Sequence, residues 1–172
     1  MKKLRCALSV GAVLTLVLAG HTAGAAQTPE RVAWTFEGAL RVVVSASGTP
    51  YVRGGPAGFT MTMTDESKTD SYPVRWRCHQ FAHLRFVSVD TVLSQPSQDL
   101  GPAPMVDKPA QCGSSTGIIH PGERWTTHQT VLLRHPHVAA RLVLVRKKVD
   151  EPGNFGMVVY MPVLNFSLTR SK

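Results

Sequence analysis

The sequence predicts an all-β chain, an antiparallel β-sandwich of about seven to eight strands, on three observations. Apolar residues recur at every second position in most segments, turn-forming residues separate those segments at short intervals, and nothing after the N-terminal stretch shows a capped helical stripe. Period two is the geometry of a strand whose alternate side chains face a core and solvent. Strands of that kind bury their apolar faces by packing one sheet on another.

In chain order, the first strand covers Val32 to Phe36. "ALRVVVSAS" follows, with Leu40, Val42 and Val44 on one face. "FTMTMT" sets Phe59, Met61 and Met63 opposite Thr60, Thr62 and Thr64. "YPVRWRC" sets Val74, Trp76 and Cys78 opposite Arg75 and Arg77, which places a sulfur on the apolar face. Trp76 to Val89 reads as strand, most clearly from Leu84 onward, and later strands are expected at Arg124–Leu133, Val138–Val149 and Gly156–Leu168. Pro121-Gly122 and Pro152-Gly153 mark turns between them. The expected core is Leu40, Val42, Phe59, Met61, Met63, Val74, Trp76, Phe86, Trp125, Leu142 and Leu144. Residues 94–117, "SQPSQDLGPAPMVDKPAQCGSSTG", contain four prolines and little alternation, so they read as one long loop.

The chain opens with Lys2, Lys3 and Arg5, continues through an apolar run from Ala7 to Ala19 and reaches Ala23-Gly24-Ala25-Ala26. This is the pattern of a secretory signal peptide, residues 1–25, and it is too short for a membrane span of about 20 apolar residues. His21 stands where a lipobox would need cysteine. The expected mature chain, residues 26–172, is a single domain, secreted or periplasmic, with no integral membrane segment. Without the three basic residues of the leader its formal charge is 19 − 3 − 11 = +5. That balance favours anionic partners without choosing among them.

Cys6 leaves with the leader, so Cys78 and Cys112 remain as an even pair, expected to form a disulfide in an oxidising compartment. The bridge would close a loop of about 35 residues and contribute about 4 kcal/mol in the chain-entropy description.

From residue 40 onward the motifs come in a recurring order. Tyr51-Val52-Arg53-Gly54-Gly55-Pro56 leads to "FTMTMT", then the polar turn "DESKTDS", then Pro73-Val74 and "FAHLRFVSVD", and Ile119-His120-Pro121-Gly122-Glu123 precedes a further strand. This order resembles a bacterial secreted immunoglobulin-like domain, most closely the intracellular proteinase inhibitor (BsuPI) family, across about residues 40 to 133. The resemblance implies an immunoglobulin-like sandwich and admits proteinase inhibition as a function. The two cysteines and the leader are additions to that pattern.

The chemistry-bearing stretches each have a structural explanation. His79 and His83 in "RCHQFAH" would stand about 13 Å apart along a strand, too far to share a metal ion. His135 and His137 in "RHPHV" flank Pro136, and with His120 and His128 they are the histidines available for Zn or Cu. "GSSTG", residues 113–117, matches a nucleophile-elbow pattern at Ser115, but no strand-to-helix context surrounds it, so it reads as a Ser/Gly turn. Asp90, Asp99, Asp107, Glu123, Asp150 and Glu151 are scattered and form no acid–base pair. Arg141, Arg146, Lys147 and Lys148 are a candidate polyanion contact, or the guard of a basic edge strand.

These features predict a non-enzymatic binding or interaction module of the bacterial cell envelope or secretome, without cofactor, metal or catalytic residues. Its expected partner is a protein or an anionic envelope polymer, and no nucleic-acid-binding signature is present. The candidate interaction loop comprises Gln95, Pro96, Leu100, Pro102, Pro104 and Met105. One alternative is a secreted proteinase inhibitor that presents Gln95 to Ala110 to a protease cleft. The other is histidine-mediated metal binding.

Overall fold

The computed structural model describes residues 30–47, 51–93, 95–106, 113–146 and 155–170. The expected leader, Cys112, Lys147 and Lys148 lie outside the described residues.

Two antiparallel sheets pack face to face, as period two predicts. The first contains β1 (Arg31–Phe36), β2 (Leu40–Ser47), β3 (Pro56–Asp65) and β8 (Arg124–Leu132), in the order β1-β2-β3-β8. The second contains β4 (Tyr72–Arg77), β5 (Ala82–Asp90), β6 (Gln95–Pro102), β7 (Ser114–Ile119), β9 (His137–Arg146), β10 (Phe155–Tyr160) and β11 (Leu164–Asn165). The inward rows supply the core: Leu40, Val42, Met61 and Met63 from one sheet meet Val74, Leu84, Leu142 and Leu144 from the other, all buried. Gln129 of β8 crosses between the sheets, donating from Nε2 to the Ala82 carbonyl at 2.6 Å and accepting from the Leu84 N–H at 3.5 Å.

The described residues form eleven strands where seven to eight were expected, for three reasons. The segment 94–117 is not one loop. Gln95, Pro96, Leu100 and Pro102 belong to β6, an edge strand paired with β5 alone and interrupted by two register shifts. Proline lacks an N–H and is excluded from central strands, but at an edge that missing donor faces solvent. Pro104 and Met105 follow β6, and Met105 bridges to Val131. The "GSSTG" stretch is not a turn either: Ser114 to Gly117 lie on β7, paired with β4. An edge strand buries little, so its sequence need not alternate. Finally, Gly156–Leu168 divides into β10 and β11, both on β9.

The stretch from Trp76 to Val89 is not a continuous strand. β10 runs along one side of β9 through residues 141–146, so β4 and β5 share the other side. There Val74 pairs with Leu144 and Ala82 with Leu142, leaving residues 75–81 opposite Val143 alone. The excess chain loops out as a small hairpin closed by Arg77 and Gln80, whose N–H groups donate to each other's carbonyls at 2.9 and 3.0 Å. Its two central residues, Cys78 and His79, have φ of 57° and 60°. Positive φ at both centres is the mark of the type I′ turn that closes two-residue hairpins. Cys78 is therefore on a turn and not on the apolar face of a strand.

Trp76 and Trp125 also leave the expected core. They are half-buried and stack on each other, with ring centroids 4.2 Å apart. Trp76 lies over the backbone of Gly117, where an added Cβ would sit 2.7 Å from Cε2. Phe81, which follows the hairpin, is buried instead.

Candidate functional site

β9 is a central strand, so Arg141 does not guard a sheet edge. The position of β9 gives Arg141 a different setting. Period two sends Arg75 and Arg77 of β4, His83 and Arg85 of β5, and Arg141 and Val143 of β9 to the outward face of the second sheet. Register then brings them together, because His83 stands directly opposite Arg141 and Arg85 opposite Ala139. All four arginines and His83 line one cleft of about 580 Å³.

β6 stops pairing with β5 at Pro102, and the same cleft reaches inward-row residues, Leu84 and Gln129, together with Ala103 and Met105. Gln129 takes the place of a strand partner on the β6 side of β5, where the pairing with β6 ends at Pro102.

Charge in the cleft is unbalanced. Arg85 is paired with Asp99, Nε to Oδ2, at 2.7 Å. Asp99 also accepts from Tyr160 Oη at 2.6 Å and from the Gly101 N–H at 2.9 Å. Burial pushes the Asp99 carboxyl up, but the hydrogen bonds from Arg85, Tyr160 and Gly101 and the charge of Arg85 outweigh it and hold the group at about 2. Arg75, Arg77 and Arg141 form no ion pair among the described residues. Arg141 Nε is buried with no hydrogen-bond partner among the described residues. Burial lowers the basicity of His83, and the positive charges of Arg77, Arg141 and Arg85 lower it further. Such an arrangement attracts anions: three planar donor forks converge beside an imidazole held toward its neutral form.

No family model, no curated protein and no solved structure matches the chain.

The remaining expected sites are placed as follows. Arg146 ends β9. Of the candidate polyanion group, Arg141 lines the cleft. Pro102 and Met105 of the expected interaction loop also line it, at the β6 side. The histidines are dispersed. His79 is at the hairpin tip, His128 Nδ1 is 3.0 Å from Thr60 Oγ1, His120 Nδ1 is 3.2 Å from Ser71 Oγ, His137 Nδ1 is 2.8 Å from Asn165 Oδ1, and His135 packs edge-on against Phe86. Among the described residues no three His, Cys, Asp or Glu side chains group around a common metal position. Ser115 is exposed on β7 opposite Trp76. A second basic hollow brings together Arg53, Arg134 and Arg170, which are exposed.

Arg75, Arg77, His83 and Arg85 were not singled out by the sequence as a site. Alternation in "VRWR" and "AHLRF" already assigns them to an outward face. What alternation cannot supply is the neighbouring strand, and the cleft exists only because β9 lies alongside.

Proposed function

We propose that this chain is a non-enzymatic, extracytoplasmic binding module of the bacterial envelope or secretome that receives an anionic partner in the Arg75–Arg77–His83–Arg141 cleft. The observation that carries the reading is the set of three guanidinium groups, Arg75, Arg77 and Arg141, in one concave site and without ion-pair partners among the described residues. An anion there replaces solvent as the counter-charge and meets the buried Arg141 Nε donor. Export is part of the same proposal and follows from the leader pattern at residues 1–25.

The proposal includes a Cys78–Cys112 disulfide. Its support is the Cys78 N–H, which donates to the carbonyl of Gly113 at 3.2 Å and so brings the residue after Cys112 against the hairpin tip. A bridge there would hold a turn whose two non-glycine centres adopt the left-handed conformation, disfavoured by about 1–2 kcal/mol per residue.

Residues 95–102, part of the segment that the inhibitor alternative would present to a protease cleft, form the mostly exposed edge strand β6.

The test is binding of fluorescently labelled polyglutamate and polyphosphate at low and physiological salt. Saturable binding that weakens with salt and weakens again in Arg77→Gln supports the reading. Absence of binding to either polymer refutes it. Fractionation of the producing cells checks export, and retention in the cytoplasm would refute that part.

A further inference from the structure

The lining of the cleft says more about the ligand than its charge does. We infer that the site takes a phosphate-headed amphiphile, with the head against Arg75, Arg77 and Arg141 and an apolar body over Leu84, Ala103, Met105 and Val143. This rests on the anion-binding reading and narrows it to a ligand class.

The charge count selects phosphate over carboxylate. Asp99 already occupies Arg85, which leaves three guanidiniums facing the ligand. One carboxylate balances one of them and offers two oxygens. A phosphate monoester carries up to two charges and presents three free oxygens, enough to engage each fork. Arg141 holds the deepest position, because its Nε is shielded from water and its strand lies between β5 and β10. A donor buried without an acceptor is unfavourable, and an oxygen seated on it removes that cost.

The apolar half follows from the interruption of the sheet. An intact β-ladder would keep the outward arginines and the inward Leu84 on opposite sides of the backbone. The ladder breaks beside Val143 and β6 stops pairing with β5 at Pro102, and between these two points the cationic rim and an apolar floor meet in one hollow. Ala103 and Met105, just beyond β6, extend that floor toward β8, where Met105 bridges to Val131. At about 580 Å³ the cleft has the size of a small-ligand site and is too small to enclose a folded partner. A simple inorganic anion would leave the floor empty, and a purely apolar ligand would leave the guanidiniums unpaired.

The experiment is calorimetric titration of the full secreted chain with octyl phosphate, octanoate and inorganic phosphate at neutral pH and low salt. Octyl phosphate is expected to bind at least about tenfold more tightly than either comparison compound, since each lacks one half of the complementary chemistry. Arg141→Gln and Arg77→Gln should each weaken it by about tenfold, and Arg124→Gln, on the other sheet, should not. Arg75 and Arg77 are exposed, so Arg75→Gln/Arg77→Gln remains informative if Arg141→Gln does not fold. Vesicles containing phosphatidic acid, compared with phosphatidylcholine alone, distinguish a lipid head from a soluble phosphate ester, and capture of either source supports the inference. It is overturned if octyl phosphate shows no saturable binding, binds no better than inorganic phosphate, or binds Arg75→Gln/Arg77→Gln as well as the parent chain. If polyglutamate binds and octyl phosphate does not, the phosphate assignment falls and the anion-binding reading stands. If neither binds, both fall.

Discussion

Tyr160 Oη donates to Asp99 Oδ2 at 2.6 Å, although β9 and β5 lie between their strands. The phenol therefore crosses the outward face of the second sheet and ties the proline-bearing edge strand β6 to β10. Arg85 meets the same carboxylate from β5. The three side chains form a polar strap along one margin of the cleft and give Arg85 its counter-charge.

Tyr160→Phe removes one charge-assisted hydrogen bond from this strap and is expected to cost about 1 kcal/mol at pH 7. Asp99 should then titrate closer to 3.8, its ordinary value. A carboxyl depressed in the folded state stabilises fully above its unfolded value and loses that contribution as pH falls from 3.8 through about 2. The difference between parent and variant should therefore shrink across that window. Urea denaturation at neutral pH and near pH 2 checks this, and an unchanged difference at both would show that the strap is not what Tyr160 contributes.

His83 should titrate below 6.5, the ordinary imidazole value, because burial and then Arg77, Arg141 and Arg85 disfavour its charged form. The unfolded chain takes the proton more readily, so this group's contribution to stability is complete above pH 6.5 and declines as pH falls through the lowered folded value. An anion in the cleft offsets the neighbouring guanidiniums and should raise the His83 value. Two-dimensional NMR of the histidine side chains, with and without octyl phosphate, measures both effects. A His83 resonance that titrates normally, or that the ligand leaves unmoved, would contradict the geometry.

Gly117→Ala is expected to displace the Trp76 indole, since the new methyl would overlap the five-membered ring and its fused edge. Small-to-large changes at such contacts typically cost about 1–3 kcal/mol. Loss of the Trp76–Trp125 stack should alter near-ultraviolet circular dichroism and shift tryptophan emission to the red. Preservation of both signals would mean that another residue supports the indole.

Cys78 and Cys112 should resist alkylation in the exported protein unless a reductant is added. Intact mass after iodoacetamide treatment reads this directly, and addition of two carbamidomethyl groups to unreduced protein would refute the bridge. Cys112→Ser is expected to lower stability by about 2–4 kcal/mol.

The sequence alone settled what depends on neighbours along one strand. Alternation from Leu40 to Val44 and from Phe59 to Met63 identified β2, β3 and their inward faces, because each buried side chain is two residues from the next. It failed where burial on one face no longer governs the strand. β6 carries Pro96 and Pro102 because an edge tolerates a missing donor, and β7 opens with small, exposed polar residues, Ser114 to Thr116, and buries Ile119 only at its end. Trp76 has the inward parity of Val74, yet it is half-buried, because the chain leaves β9 after Val74 and the indole packs against Gly117 and Trp125. The cleft lay further still from the sequence signal. The outward positions of Arg75, Arg77, His83 and Arg85 follow from local period two, but their convergence on Arg141 depends on β9 pairing with both β4 and β5 across about 60 residues of chain. Which strand lies beside which is decided by packing between distant segments, and no pattern within a strand encodes it.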